Sequence, residues 1–584
     1  MKNVFLVCAL LSSFIIAQNS PDITAEEIKQ HITYLASDEL EGRMTGTDAL
    51  YEAADFLKKE FESYGLKPLF NGSYFQEFPF MEKLELGDNE LTFVTNGTEK
   101  SFELSKDFTA LGFTDNKEVN GNLVFAGYGI TAKDLNYDDY ANIEVKDKIV
   151  IVFRNHPDMK TPHSKFDQYS SLRYKTTTAR DQGAIGIIFI NTKDNKEDVL
   201  VDFKYDNAAK ITGISALSAK RECFNFISLL ELQNQIDSTL TPKSFLVESG
   251  INAEISTEVN EVRGTSINVG AFLDAGNEKF KDEYLVLGAH FDHLGWGGDN
   301  SLYMGEPSIH NGADDNASGT TGLLELAEKF ASIKNQLDRK IVFIAFSGEE
   351  LGLLGSSYVV NNFPLPIEND ITMINMDMIG RLNDKNDLIV YGTGTSSKWK
   401  NILDNKNDYD FNLTFNDEGF GPSDHSSFYG KKVPVLFFFT GTHSDYHKPS
   451  DDADKINLAG QEKLLKYVYD VALTIANSET RPDYISVERK DTGKMTGTKV
   501  YVGTVPDFAG EVDGYKLGGV TDGSPAAKAG LQAGDIITQF GEKKISNIYD
   551  FTYALGNYVP GDKVKVLVKR GEEVLTIEIE LGSR

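Results

Sequence analysis

The 584-residue sequence has little of several things. It holds two cysteines. Cys8 lies in the apolar start of the chain, which leaves Cys223 alone in the remainder and excludes an internal disulfide framework there. Cys223 is expected to be a small buried apolar residue. Positive charge is also scarce: 58 Lys and Arg stand against 88 Asp and Glu, for a formal net charge of −30. Such a chain lacks the basic footprint of a general nucleic-acid binder. Beyond the first residues, no apolar run approaches the ~20 residues of a membrane span. What remains is 40% hydrophobic and 25% charged, the composition of a chain that buries real cores. Its length suits about three or four domains.

The first residues have the layout of a secretory signal peptide. Met1 and Lys2 precede an apolar run at 4–17, and polar residues follow Ala17. Cleavage is expected near 17, with export to the periplasm or the exterior.

The rest of the chain is organised around residues 284–449. Short continuous apolar runs recur there, and each stops at a residue able to hold a metal. Residues 284–289 run into His290 and Asp292, and 340–346 run toward Glu349 and Glu350. Residues 371–376 run into Asp377, and 433–439 are followed by Tyr446 and His447. Asp314 and Asp315 stand just before an apolar, helix-like segment. Runs of this kind suit strands buried on both faces of a mostly parallel sheet. Ligands of open α/β sheets bind beyond the carboxyl ends of the strands. Imidazole and carboxylate without thiolate fit zinc or a neighbouring divalent ion. Five such ligands exceed one catalytic zinc and suit two ions sharing a carboxylate. At Glu349 and Glu350 adjacent side chains diverge, so one can bind metal while the other serves as general base.

Before that stretch, Thr24 and Glu27 form a capping box that opens a helix with Ile28, Ile32 and Leu35 on one side. A second helical period carries Leu50, Ala53, Ala54, Leu57, Phe61 and Tyr64 and stops at Gly65. From about Val119, strand-like runs at 122–130, 147–153 and 183–190 suggest a separate inserted unit that closes near Arg263. It shows no catalytic constellation, and His156 and His163 are expected in surface loops. Residues 471–478 end a helix, and Glu479 begins a polar link. Beyond it, runs at 501–504, 516–520, 563–568 and 574–579 describe a small β-rich domain with a short helix.

The motifs at 288–293, 312–319, Glu349–Glu350, 375–378 and Tyr446–His447 resemble those of the M28 family of co-catalytic zinc aminopeptidases. The resemblance covers the two early helices and about 263–478. It implies an α/β fold: a phosphorylase/hydrolase-like mixed, mostly parallel sheet flanked by helices. It implies two Zn2+ per chain, with His290 and Asp377 on one, Glu350 and His447 on the other, and Asp315, not Asp314, bridging them. Glu349 takes the base position and Tyr446 the place of the phenol that hydrogen-bonds the tetrahedral oxyanion. Asp292 fits a partner that orients His290, and the peptide after Asp315 is expected to be cis. His425 is expected in substrate-side packing, and His293, His310 and His443 as structural or rim residues.

The insertion resembles a protease-associated (PA) domain at 179–188. The last domain resembles a bacterial PDZ domain at 524–537, with 501–504 as a turn able to receive a peptide C-terminus; the alternative is a packing module with an unused groove. The expected partition is 1–17 signal peptide, 22–117 with 263–480 peptidase, 118–262 PA and 490–584 PDZ. The expected activity is a secreted aminopeptidase acting on peptides with a free N-terminus, with no nucleic-acid partner and no membrane span. Alternatives are an M28 carboxypeptidase or dipeptidase, a one-zinc glutaminyl cyclase of the same fold, and a non-catalytic receptor-like scaffold.

Overall fold

The computed structural model describes residues 22–583, less 163, 205–211, 248–249, 299, 488–499, 507–511 and 522. The expected signal peptide and His163 lie outside the described residues.

The first helix, Ala25–Leu35, opens as its sequence dictates. The Thr24 hydroxyl accepts from Glu27 N at 3.3 Å and donates to the Glu27 carboxylate at 2.8 Å. Ile28, Ile32 and Leu35 are buried. In the second helix, Asp48–Ser63, the buried face includes Leu50, Ala53, Ala54, Leu57 and Phe61. Gly65 follows at φ +76°, where a Cβ would be disfavoured. Both helices pack with Gly319–Ser332 and Leu458–Ala476 into one core against a nine-stranded sheet. Each Leu or Phe buried there contributes roughly 1.5–3 kcal/mol.

At the centre of that sheet four strands run parallel, in the order Lys340–Phe346, Tyr284–His290, Asp370–Met376 and Val435–Phe439. Antiparallel strands flank them: Val259–Leu273 on one side and Asp387–Tyr391 on the other. All seven residues of Tyr284–His290 are buried, which is why its sequence is continuously apolar instead of alternating. The register pairs His290 with Phe346. The carboxyl ends of neighbouring strands therefore reach one rim at nearly the same level.

A second nine-stranded sheet contains the expected strands Lys117–Ala126, Ile149–Phe153 and Gly186–Ile190. It also takes in Glu90–Thr95, Thr98–Ser101 and Phe108–Ala110, so its strands begin well before 118. These earlier strands are hard to read: Thr98–Ser101 is exposed throughout, and buried Phe108–Ala110 has only three residues. A long antiparallel ribbon, Phe75–Leu86 with Val259–Leu273, joins the two sheets. His156 is not a surface residue. It is 3% exposed, sits 2.8 Å from Asp167, and stacks on Phe166. Cys223 is buried as expected, and burial pushes its thiol up to about 12.

Residues 500–583 form the small β-rich unit around Leu517, Ile537, Phe540 and Val566. The expected short helix is Pro525–Lys528. A second helix, Ile548–Leu555, escaped the sequence reading; Asn547 caps it through Asp550 N at 2.9 Å. Among the described residues no helix is long and apolar enough to cross a membrane.

Candidate metal centre

His290 is the last residue of its strand, and Asp377 directly follows Met376 at the end of the next. Glu349 and Glu350 lie just past Phe346. Asp315 sits in the turn that leads into helix Gly319–Ser332, and its peptide bond to Asn316 is cis. His447 comes from the loop after Val435–Phe439, at φ +53°. These side chains converge.

The distances say what the convergence suits. His290 Nε2 is 3.4 Å from Asp315 Oδ1 and 3.4 Å from Asp377 Oδ1. His447 Nε2 is 3.3 Å from Asp315 Oδ2 and 3.3 Å from Glu350 Oε2. A tetrahedral ion with bonds near 2.0–2.2 Å separates its donor atoms by about 3.3 Å. His290 Nε2 and Asp377 Oδ1 are buried with no hydrogen-bond partner, which a buried polar atom seldom tolerates. Asp315 offers one oxygen to each side. The donor set therefore fits two divalent ions around a shared carboxylate.

The imidazoles are held in the tautomer that ligation needs. The His447 Nδ1–H donates to Asn300 O at 2.8 Å, and the His290 Nδ1–H to Asp292 O at 3.2 Å. Each Nε2 lone pair then faces the carboxylates. The expected orienting role of the Asp292 carboxylate differs here. Its nearest oxygen is 3.7 Å from His290 Nδ1, and the carboxylate instead accepts from Thr45 Oγ1 at 2.8 Å and Glu349 N at 3.2 Å. Asp292 thus orients His290 through its backbone and positions Glu349 through its side chain.

Charge in the cluster is strongly perturbed. Burial alone would raise the Asp315 carboxyl, but His290 and His447 on its two oxygens hold it well below the usual range. Burial raises Glu349 well above the carboxylate range, and Glu350, Asp424 and Asp377 add to this against the opposing effect of His290. Burial disfavours the His447 imidazolium, yet Asp315 and Glu350 hold it up to about 10. A cation bound there would displace that proton. Burial, with the nearby carboxylates, pushes the Tyr446 phenol well above its ordinary value, so it keeps its proton as a donor. Its ring stacks on His447 at 3.8 Å.

The remaining histidines separate. His293 stands with Asp315 and Glu350 as a second candidate donor group, and its Nε2 is buried without a hydrogen-bond partner; its Nδ1, 2.7 Å from Glu350 Oε1, makes a hydrogen bond. His310 is fixed by Ser308 O and Ser301 Oγ, both at 2.8 Å. His443 is 3.1 Å from Asp314 Oδ2, and Asp314 Oδ1 accepts from Gly380 N at 2.6 Å, so Asp314 faces away from the ligand cluster. His425 is fully buried, stacks on Phe437 at 4.7 Å, and burial lowers it to about 3.

Three supports were missed. Asp451 accepts from Asp314 N and Asp315 N at 2.9 and 3.1 Å. Fully buried Arg43 donates to Phe291 O and Asn311 O at 2.8 and 2.7 Å and to Gly312 O at 3.1 Å. Ser423 Oγ accepts from Asn375 Nδ2 at 2.8 Å, two residues before Asp377. Arg43 acts on backbone carbonyls near the ligands and Ser423 on side chains of the Asp377 strand, both from distant loops where sequence spacing gives no signal. Asp451 lies only four residues after His447, in an acidic run where Asp452 is half-buried and Asp454 exposed.

Residues 268–472 match the model of peptidase family M28, 119–222 that of the PA domain and 486–581 that of the PDZ domain. Aminopeptidase YwaD of Bacillus subtilis is 26% identical over 54% of this chain and 62% of its own length. A probable zinc metalloprotease of Pyrenophora teres f. teres is 40% identical over 24% of this chain and 28% of its own. The chain therefore spans less than two thirds of either relative. Among solved structures, an aminopeptidase from Aneurinibacillus sp. strain AM-1 is 23% identical, with a TM-score of 0.47 over 80% of this chain and 97% of its own.

Proposed function

We propose that this chain, whose residues 268–472 match the model of peptidase family M28 and whose 119–222 and 486–581 match those of the PA and PDZ domains, is a di-zinc aminopeptidase. The observation that carries the reading is Asp315, with one oxygen 3.4 Å from His290 Nε2 and the other 3.3 Å from His447 Nε2. His290 and Asp377 would hold one ion, Glu350 and His447 the other, and Asp315 both. When bound, such a pair supplies Lewis acidity toward the scissile carbonyl and lowers the pKa of water. Glu349 takes the proton of the attacking water and passes it to the leaving amine. Burial suits it to that task, because a raised carboxyl holds the proton between the two transfers. Tyr446 donates its phenolic proton in a hydrogen bond to the oxygen of the tetrahedral carbon. His293 fixes the Glu350 carboxylate, and Asp292 fixes the backbone of Glu349.

The substrate is a peptide with a free amino terminus, a reading supported by the relatives named aminopeptidases. The start of the chain favours export to the periplasm or beyond, and the PDZ turn at 501–504 is a receptor for a peptide C-terminus. Zinc analysis of the purified protein alongside hydrolysis of aminoacyl anilides and N-acetylated peptides tests the proposal. Two zincs per chain and cleavage that requires a free amine are expected. Cleavage from the carboxyl end, or turnover with one zinc, would overturn it.

A further inference from the structure

Two seats tie the PDZ domain to the rest of the chain. On the peptidase side, strand Tyr515–Val520 lies against the segment around helix His425–Tyr429. The approach is close enough to require glycine. A Cβ on Gly430 would stand 2.8 Å from Gly518 O, and one on Gly519 would stand 3.2 Å from Phe420 Cζ. Phe420 packs edge-on to Tyr429 at 4.7 Å, and the Tyr429 hydroxyl accepts from Val487 N at 2.8 Å. The linker holding Val487 is pinned as well. Asp483 accepts from the Ser396 and Ser397 hydroxyls, both at 2.8 Å, and Ile485 N donates to Thr395 O at 2.7 Å.

On the PA side, helix Ile548–Leu555 meets helix Leu172–Asp181. Arg180 lies 3.3 Å from the carboxylate of fully buried Asp550, and Lys543 Nζ is 2.9 Å from Asp181. Tyr553 shares a 3.0 Å hydrogen bond with Ser171 and takes the Tyr174 ring edge-on at 5.2 Å. An ion pair with one member fully buried resists separation, because parting strands an unpaired charge.

The segment that seats the PDZ domain also reaches the metal centre. Ser423 receives Asn375 beside Asp377, Asp424 and His425 are fully buried, and Ser427 meets Ser356 at 3.0 Å in the helix that follows Glu350. One side of residues 419–430 therefore walls the centre while the other bears the PDZ strand.

We propose that the PDZ domain is a fixed brace of the substrate cleft, setting the 419–430 wall and the PA domain at once, so that it governs which peptide lengths bind well. The substrate half of this inference rests on the peptidase reading; the brace does not. The seat transmits position through the close backbone approach of Gly430 to Gly518 and through the Phe420 ring against Gly519. A wall that contacts the substrate beyond the scissile bond acts on KM for long peptides more than on turnover of a small anilide.

The test compares full-length wild type with Gly519→Leu, and with Lys543→Asp and the conservative Lys543→Arg. Hydrogen exchange is the first readout. Gly519→Leu should speed exchange in 419–430 by about tenfold or more while leaving 284–290 unchanged. Lys543→Asp should loosen 172–181, and the conservative Lys543→Arg should not. In kinetics, Gly519→Leu should raise KM for long peptides by roughly fivefold or more, with kcat for the anilide and zinc content retained. Wild-type exchange in 419–430 together with a detached PDZ domain in small-angle scattering would overturn the brace. If wild type cleaves no peptide, the peptidase reading fails while the exchange data still decide the brace.

Discussion

Two buried clusters of charge in this molecule invite comparison, because both bury ionisable side chains and they differ in what their atoms do. The PA-domain cluster is closed. Asp139 accepts from Tyr128 N and Ile130 N at 3.0 Å and from Tyr137 OH at 3.1 Å. Lys175 donates to Phe153 O at 2.8 Å and to Asn155 O. In the metal centre the donors stand 3.3–3.4 Å apart, and His290 Nε2 and Asp377 Oδ1 have no hydrogen-bond partner. A buried polar group whose bonds are all made serves architecture. Gaps of one repeated length between like donors mark a place shaped for something else.

The sharpest way to break this comparison is Asp315→Ala, which removes the only side chain common to both halves of the centre. Zinc content should fall below one per chain and kcat/KM by roughly a thousandfold or more, as when one member of a unit is lost. Glu349→Gln comes next. It should keep both zincs and lose roughly 10²–10⁴-fold in kcat, the range for a removed general base. Asp139→Ala probes the closed cluster. It strands two backbone donors and should cost about 3 kcal/mol of stability in denaturant unfolding, while the folded fraction keeps its zinc and its kcat. His293→Ala lies between the two kinds of cluster. It frees the Glu350 carboxylate and should weaken one zinc by about 10–100-fold in competition with a chelator, leaving the other unchanged.

The last effect is on pH dependence. Burial raises the Asp139 carboxyl from 3.8 to about 7 and lowers the Lys175 ammonium from 10.5 to about 7. Between about 4 and 7 the unfolded chain has ionised Asp139 and the folded chain has not, so stability falls as pH rises. Between about 7 and 10.5 the unfolded chain keeps the Lys175 proton that the folded chain has lost, so stability rises. The pair thus contributes a dip near neutral pH. Thermal unfolding of the double variant Asp139→Asn, Lys175→Met should show that dip flattened.

The metal centre was legible in the sequence because a buried parallel strand writes itself as a continuous apolar run, and its end marks the rim. That is how His290, Glu350 and Asp377 announced themselves. Arg43 and Thr45 did not, because they act from a loop some 250 residues earlier, through backbone carbonyls and the Asp292 carboxylate. Asp292 was placed in the right neighbourhood with the wrong atom: the main-chain oxygen meets His290. The PA sheet was legible in its long aliphatic strands but not in buried Phe108–Ala110 and Ser215–Ala219, which are short or interrupted by Ser and Thr, nor at the exposed edge Thr98–Ser101. His156 looked like a loop residue because its partner Asp167 comes from a later turn.

The central claim is that two cations share Asp315. X-ray diffraction at the zinc absorption edge from crystals of the zinc-loaded protein tests it most directly. Two anomalous peaks about 3.5–4 Å apart, one beside His290 and Asp377 and one beside Glu350 and His447 with Asp315 between them, are the expected result. A single peak, or a peak bound through His293 with His447 turned away, would contradict it.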